Sequence, residues 1–411
     1  MVIIIGAGIS GITAANRIKH PTIILEKEPR VGGLSGQYTV DGVDYDYGGH
    51  YFHFQKNPQI LTYLKNYSTF DKYKRNSKTF ILGKMVPYPV QLHLSYLPSG
   101  VRNTILEEIS ARQEATYASL YDHLVGNFGP TLCKLFFQPF LNKYYRTDLK
   151  AMLANMDRGS IPIPTIDQVV AGSRGGRCKE SGYNPVFYYP RKSLKGFMET
   201  YAKPVVSDLH LGEEVMEVNL KGRTVRTNRT IYHFSHLINT MPLKSLLQRI
   251  VPPLNHPASH QLQHSSTLVA NMILKRRRRR FHWVYLAEKE IPFYRLGYYP
   301  RRSEIVCYLE KTLKPGEASR SGDLVQQVQY TLKRMQVIER ISEISHLNFK
   351  VIPISYIIFN KDWPHTIPPL LQFLQKNRIY SIGRYGRWNY SSMSEDTEEA
   401  LATAQMVNNL L

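Results

Sequence analysis

The stretch that decides the fold comes first: Met1-Val2-Ile3-Ile4-Ile5-Gly6-Ala7-Gly8-Ile9-Ser10-Gly11. Val2 to Ile5 is a continuous apolar, β-branched run, the pattern of a parallel strand buried on both faces. Gly6, Gly8 and Gly11 fit G-x-G-x-x-G, and a helix is predicted from there to near Lys19. A second buried strand, Thr22 to Leu25, is closed by Glu26, 20 residues after the first glycine. Glycines by themselves are a weak signal. Between a strand and a helix, with an acid at that distance, they define a dinucleotide-binding turn. Gly6 permits the tight turn, Gly8 lets backbone approach a pyrophosphate, and Gly11 lets helix and strand pack closely. Ile9 and Ser10 open the helix, whose free N–H groups and positive end suit phosphate. Glu26 would accept hydrogen bonds from a ribose diol.

The next segment selects the dinucleotide. Glu26-Lys27-Glu28-Pro29-Arg30-Val31-Gly32-Gly33-Leu34-Ser35 carries an acid and then Arg-x-Gly-Gly. A glycine pair here lets the chain pass close to a diphosphate. This segment resembles the second signature of the flavoprotein group that includes amine oxidases, protoporphyrinogen oxidase and UDP-galactopyranose mutase. A third piece, Gly383-Arg384-Tyr385-Gly386, follows a buried strand at Ile379 to Ile382 and precedes a helix predicted over Thr397 to Leu411. Three pieces in this order point to FAD. Gly6, Gly8, Ile9, Ser10, Gly11, Glu26, Lys27, Gly32, Gly33, Leu34, Ser35, Gly383 and Arg384 are the expected cofactor contacts.

The fold class expected is α/β: a doubly wound, Rossmann-like FAD-binding domain with a helical subdomain and an antiparallel β-sheet domain. The FAD domain is expected to be discontinuous, over 1–70, 190–260 and 375–411. Helical spacing, as in Tyr117-Leu120-Leu124 and Leu132-Leu135-Phe136, marks 95–160 as the helical subdomain. The sheet domain takes 71–94, 161–189 and 261–374, with 160–190 read as loop-rich.

Bulk composition narrows the class less. The 411 residues are 43% hydrophobic and 21% charged, which is ordinary for a globular protein and long enough for two or three domains. The 28 tyrosines offer rings with hydroxyls, suited to lining a polar-ligand site. Net charge is +21, and leaving out the run Lys275 to Arg280 still leaves 47 basic residues against 32 acidic. Such a field favours anionic partners without choosing among nucleotides, nucleic acid and acidic membrane. No nucleic-acid module accompanies the run Arg276 to Arg280, which is read as a solvated loop, and peripheral membrane contact through it stays open. Cys133, Cys178 and Cys307 are isolated, so neither a disulfide framework nor a metal site is expected. No apolar run of membrane-spanning length and no signal peptide is seen, and the expected location is cytoplasmic.

Further stretches resemble UDP-galactopyranose mutase, particularly its eukaryotic-type branch. They are Gly48-Gly49-His50-Tyr51-Phe52-His53, Val86-Pro87-Tyr88-Pro89-Val90-Gln91, Gly182-Tyr183-Asn184 before Phe187 to Pro190, and Trp283-Val284-Tyr285 before Pro292-Phe293-Tyr294-Arg295. The run Gly383 to Tyr390 extends the likeness to the C-terminus. The resemblance implies that reduced flavin attacks the anomeric carbon of a UDP-sugar and UDP departs. The sugar ring then opens and recloses with five members, without net redox. It implies that Arg295 and Tyr285 hold the diphosphate, with Tyr390 a second candidate, and that Gly49 and His50 lie against the flavin. It adds Val215, Met393 and Tyr390 to the cofactor contacts, and Asn184, Lys143 and Tyr144 to the substrate contacts. The final helix would point its positive end at the flavin.

Departures from the family fall on the substrate side. Lys143-Tyr144-Tyr145 stands where the family has Lys-x-Trp, Met156 to Ser160 matches poorly, Ser193-Leu194 replaces Gly-Gly, and Trp363-Pro364 replaces Tyr-Pro. Two other readings stay open: a conventional FAD-dependent oxidoreductase of the amine oxidase type, and a non-catalytic FAD-binding scaffold with a basic docking surface. Each singled-out residue also has a plainer reading. His50 can be a structural histidine, Arg295 a surface charge, Tyr285 and Tyr390 packing aromatics, and Lys143 a solvated lysine.

Overall fold

The computed structural model describes all residues except 155–160, 177–184, 301–303, 315–316 and 318–320. Asn184, Gly182, Tyr183, Cys178 and the Met156 to Ser160 stretch therefore lie outside the described residues. Two compact units divide the chain. One comprises Met1–Tyr73, Val186–Leu262 and Asp362–Leu411; the other comprises Lys74–Pro185 and Gln263–Lys361.

In the first unit, Val2–Ile5 forms the centre of a parallel sheet. Among the described residues the strand order is Ile379–Ser381, His236–Asn239, Val2–Ile5, Thr22–Glu26, Leu209–Leu211. All four residues of the first strand are buried, as a strand covered on both faces requires. The helix after it spans Ile9–Ala15, ending four residues short of Lys19. Within residues 27–54, Gln37–Val40 and Val43–Asp46 pair as a hairpin. The final helix begins at Met393, four residues before the expected Thr397. Ser392 caps it in a reciprocal box with Glu395. A helix at Trp363–Lys376, not foreseen, also belongs to this unit. Its prolines at 364, 368 and 369 hid it; Pro364 sits in the first turn, where a missing N–H costs nothing.

In the second unit a mostly antiparallel sheet runs in the order Ile344–Ile358, Gln263–Leu274, Ile305–Leu313, Arg295–Tyr298, Trp283–Leu286, Ser77–Ile81, Lys84–Pro87. The strands alternate, so the sheet has two unlike faces. Phe80, Val284, Leu296, Leu309, Ala270 and Met272 lie on one face, in a core with Val328 and Leu332 of the helix Ser321–Arg334. On the other face, Ile81 and Tyr285 pack with the helices Ser99–Ser110, Leu120–Leu132 and Gln138–Tyr145 through Ile105, Leu124 and Leu141. The helical segment and the sheet thus lie within one unit. The segment read as loop-rich contains a further helix, Ile166–Ser173, opened by a capping box at Thr165 and Gln168.

The basic run is less solvated than expected. Arg276 and Arg278 reach Glu343 at 3.0 and 3.1 Å, Arg278 reaches Glu339 at 2.6 Å, and Arg277 lies 4.4 Å from the centre of the Tyr298 ring. Four of the six charges of Lys275–Arg280 fall on residues that remain exposed, but the run is laced to its own unit rather than held clear of it. No helix among the described residues is long and apolar enough to cross a membrane.

Candidate functional site

In the first unit the three glycine segments converge. Gly6 has φ +98°, and a Cβ there would stand 2.3 Å from Thr240 Oγ1. A Cβ on Gly11 would stand 1.9 Å from the Gly6 carbonyl oxygen. These two glycines are demanded by the fold. Gly8 differs: its φ of −75° suits any residue, and an added Cβ would meet nothing nearer than the Gly32 oxygen at 3.9 Å. The space beside Gly8 is a cradle a side chain would fill. Gly32 bridges to Gly8 and donates its N–H to Ala7 O at 2.8 Å. Gly383 lies against Ser10, with an added Cβ 2.6 Å from its Oγ. Segments separated by hundreds of residues therefore meet around one turn.

Glu26 fastens this turn. Its carboxylate accepts from Ala7 N at 2.7 Å and from Glu28 N at 2.9 Å. Desolvation raises its pKa, opposed by those two bonds. Two acceptor positions are taken and others remain for a diol. Leu34 and Ser35 lie in the 3₁₀ turn after Gly32, and Lys27 lies at the end of the Glu26 strand. Val215 is buried at the start of the strand Val215–Asn219.

The histidine segment is pinned within the same unit. Gly48 has φ +110°, and His50 N donates to Gly48 O at 2.8 Å. Phe52 exchanges backbone bonds with Tyr188 at 3.0 and 2.8 Å. The His53 carbonyl accepts from Ser394 Oγ, in the first turn of the final helix beside Met393. Arg384 lies 4.1 Å from the centre of the Tyr390 ring and donates to Ser391 O at 3.3 Å. Trp363 donates its indole N–H to Trp388 O at 2.8 Å. Ser193 caps the helix Leu194–Ala202, accepting from Gly196 N at 3.0 Å.

Asp396, unforeseen from sequence, is buried in the first turn of that final helix and accepts from Ser391 Oγ. Burial pushes its carboxyl up to about 7, only partly offset by that bond. A carboxyl raised above its unfolded value of about 3.9 contributes stability at low pH that is lost as pH rises through the folded pKa. We expect Asp396→Asn to stabilise the protein at pH 8, by on the order of a few kcal/mol, and much less at pH 4. Thermal denaturation of both proteins at the two pH values checks this; a gain of equal size at both would contradict it.

In the second unit, neighbouring strands bring a polar row onto one sheet face. Thr79 pairs with Tyr285, Tyr285 with Arg295, and Arg295 with Glu310. The next row holds Trp283, Gly297, Tyr308 and Asn271. Gly297 makes room for Tyr308: an added Cβ would lie 2.4 Å from its ring. Arg295 is bound by Glu310 through Nε at 2.6 Å and Nη2 at 2.7 Å. Desolvation opposes the guanidinium charge, but Glu310 and the phenols of Tyr356, Tyr308 and Tyr294 favour it, so Arg295 stays charged. Nη1 retains donor capacity for an anion. Desolvation raises the Tyr294 and Tyr356 phenols, which stay protonated, 3.1 Å apart. Tyr285 packs between Tyr88 and Phe140, with ring centres at 4.8 and 5.2 Å.

The Tyr144 ring lies tilted against Tyr356, ring centres 3.9 Å apart, and its carbonyl accepts from Thr312 Oγ1. Lys143 is half-buried rather than solvated, and its ammonium donates to three backbone carbonyls. Glu310, Tyr308 and Tyr356 were missed from sequence. A signal existed for two of them: Tyr308 and Glu310 alternate with Cys307 and Leu309, a polar face on an otherwise apolar strand. Among the described residues no group of three His, Cys, Asp or Glu side chains could hold a metal.

Residues 4–67 match the family profile of an NAD(P)-binding Rossmann-like domain, which places the first unit's core in that class. Over its whole length the chain has the fold of a reduced UDP-galactopyranose mutase: TM-score 0.90, 19% identity, covering 100% of this chain and 94% of that one. A candidate protoporphyrinogen oxidase from Exiguobacterium sp. 255-15 follows at TM-score 0.75 and 14% identity, with 100% and 99% covered. A putrescine oxidase redesigned in its cofactor binding gives TM-score 0.65 and 15% identity, with 99% and 98% covered. At these identities the likeness establishes the fold.

Proposed function

We propose that this protein is an FAD-dependent mutase acting on a nucleotide-diphosphate sugar, interconverting ring forms without net redox. The observation that carries the reading is the row Tyr285–Arg295–Glu310, a charged fork with phenols on one sheet face, in a chain that shares the mutase fold along its length. The cofactor fits the first unit: the open side of Gly8 takes the diphosphate, the Gly32–Ser35 turn flanks it, Glu26 takes the ribose and Gly383-Arg384 closes the site. Reduced flavin, when bound, supplies the nucleophile and keeps its electrons over a full cycle.

The chain's own residues do the rest. Arg295 holds the diphosphate and stabilises the charge that grows as the nucleotide leaves. Glu310 fixes the plane of the fork, so the arginine needs no reorganisation when charge develops. Tyr285 and the neighbouring phenols donate to phosphate oxygens. His50 and Tyr390, both in the first unit, would lie against the flavin. Trp363 marks a difference: its indole is committed to Trp388 O, so it cannot replace a tyrosine hydroxyl on phosphate. The oxidases among the similar folds keep an oxidoreductase as the second reading. A panel of nucleotide sugars offered to the reduced protein, with product ring size and acceptor consumption followed together, tests the proposal.

A further inference from the structure

Lys143 lies in the last turn of the helix Gln138–Tyr145. Its Nζ donates to the carbonyl oxygens of Glu288 and Ile291 at 3.0 Å each and of Phe293 at 3.2 Å. An ammonium has three N–H donors, and three carbonyls take them. All three acceptors belong to one connection, 287–294, which joins the Tyr285 strand to the Arg295 strand. A hairpin closes on backbone bonds and turn residues and needs no cation to do so. Here the backbone bond from Leu286 N to Tyr294 O, 2.9 Å long, closes the strands, and the lysine is added from a separate helix. The Glu288 side chain ties the same connection outward, to Gly83 N at 2.7 Å and to Arg334 at 3.2 Å.

We propose that Lys143 is a positioning residue: its ammonium fixes the 287–294 connection and so sets where Tyr285 and Arg295 stand for an anionic ligand. That the ligand is a nucleotide sugar rests on the reading above; the strut itself rests on the three bonds. It acts through the hairpin and touches no reacting atom. Burial lowers the Lys143 pKa to about 7, and the carboxylates of Glu288 and Glu290, the charged groups acting on it, oppose that shift. A neutral amine has two N–H donors, so one carbonyl loses its partner as pH rises past 7. The hairpin then loosens while the Arg295–Glu310 pair keeps its charge.

UDP serves as the probe, titrated into the flavin-loaded protein at pH 6.5 and pH 8.5, for wild type and Lys143→Met. Hydrogen exchange of residues 287–294 is measured without ligand. The wild type should bind more weakly at pH 8.5. The variant should keep its flavin, bind roughly tenfold more weakly at pH 6.5, lose the pH dependence, and exchange faster at 287–294. A variant that matches the wild type in affinity and exchange overturns the proposal. Should the variant fail to fold, a wild-type affinity that does not weaken between the two pH values overturns it. Should the wild type bind no UDP at either pH, the nucleotide-sugar reading fails, and exchange at 287–294 decides the strut: faster supports it, unchanged overturns it.

Discussion

Gly8→Val is expected to give a folded protein that purifies without FAD. The structure separates this glycine from its neighbours. Its backbone angles, φ −75° and ψ −176°, are open to valine, and beyond the adjoining chain the added Cβ would meet nothing nearer than Gly32 O at 3.9 Å. The added Cβ therefore meets no clash in the fold, and the side chain fills the place proposed for the diphosphate. Gly11→Val is the contrasting control. Its Cβ would lie 1.9 Å from Gly6 O, so loss of flavin there would come with loss of the parallel sheet. Circular dichroism and flavin absorbance on both variants check the pair. Full flavin occupancy in Gly8→Val, or NAD in place of FAD, would remove the turn from the cofactor site.

Arg295→Met should do two kinds of damage that a second substitution can part. Removing the arginine leaves Glu310, 2% exposed, without its bidentate partner. Breaking such a pair from one side costs about 3 kcal/mol. Loss of the charge-assisted bond to phosphate should weaken UDP binding about 10- to 100-fold. In Arg295→Met/Glu310→Leu the buried carboxylate is gone too, so stability should return while UDP binding stays lost. Arg295→Lys keeps the charge but cannot make the fork with Glu310, and should fall between wild type and Arg295→Met. If the double variant regains UDP affinity along with stability, Arg295 serves the fold and not the ligand.

The contrast between these two sites shows what could be read from sequence. The dinucleotide-binding turn was legible because its requirement is local: Gly6, Gly8 and Gly11 lie within one strand–turn–helix, and period and spacing announce it. The convergence of Gly32 and Gly383 on that turn followed from the order of three short signatures. The polar row on the second unit's sheet was only partly legible. Tyr285 and Arg295 came from likeness to a family, whereas Glu310 and Tyr356 lie on strands whose pairing no local pattern states. The register that sets Glu310 opposite Arg295 is a tertiary fact. The carbonyl partners of Lys143 were not legible, since they lie 145 to 150 residues along the chain. The helices at Ile166–Ser173 and Trp363–Lys376 were hidden for a simpler reason: glycine and proline within or beside them mask a helical period that packing sustains.

The central claim is that the flavin here works without net redox, and the fate of electrons tests it. Protein reduced with dithionite under anaerobic conditions is incubated with a panel of nucleotide-diphosphate sugars, and product mass, ring size and acceptor consumption are measured in the same tube. The expected result is an isomer of equal mass with a changed ring, formed over many turnovers by the reduced protein, not by the oxidised one, with no stoichiometric use of oxygen or NAD(P)H. Inert nucleotide sugars throughout, with an amine or alicyclic compound bleaching the oxidised flavin instead, would contradict the claim and establish the oxidoreductase.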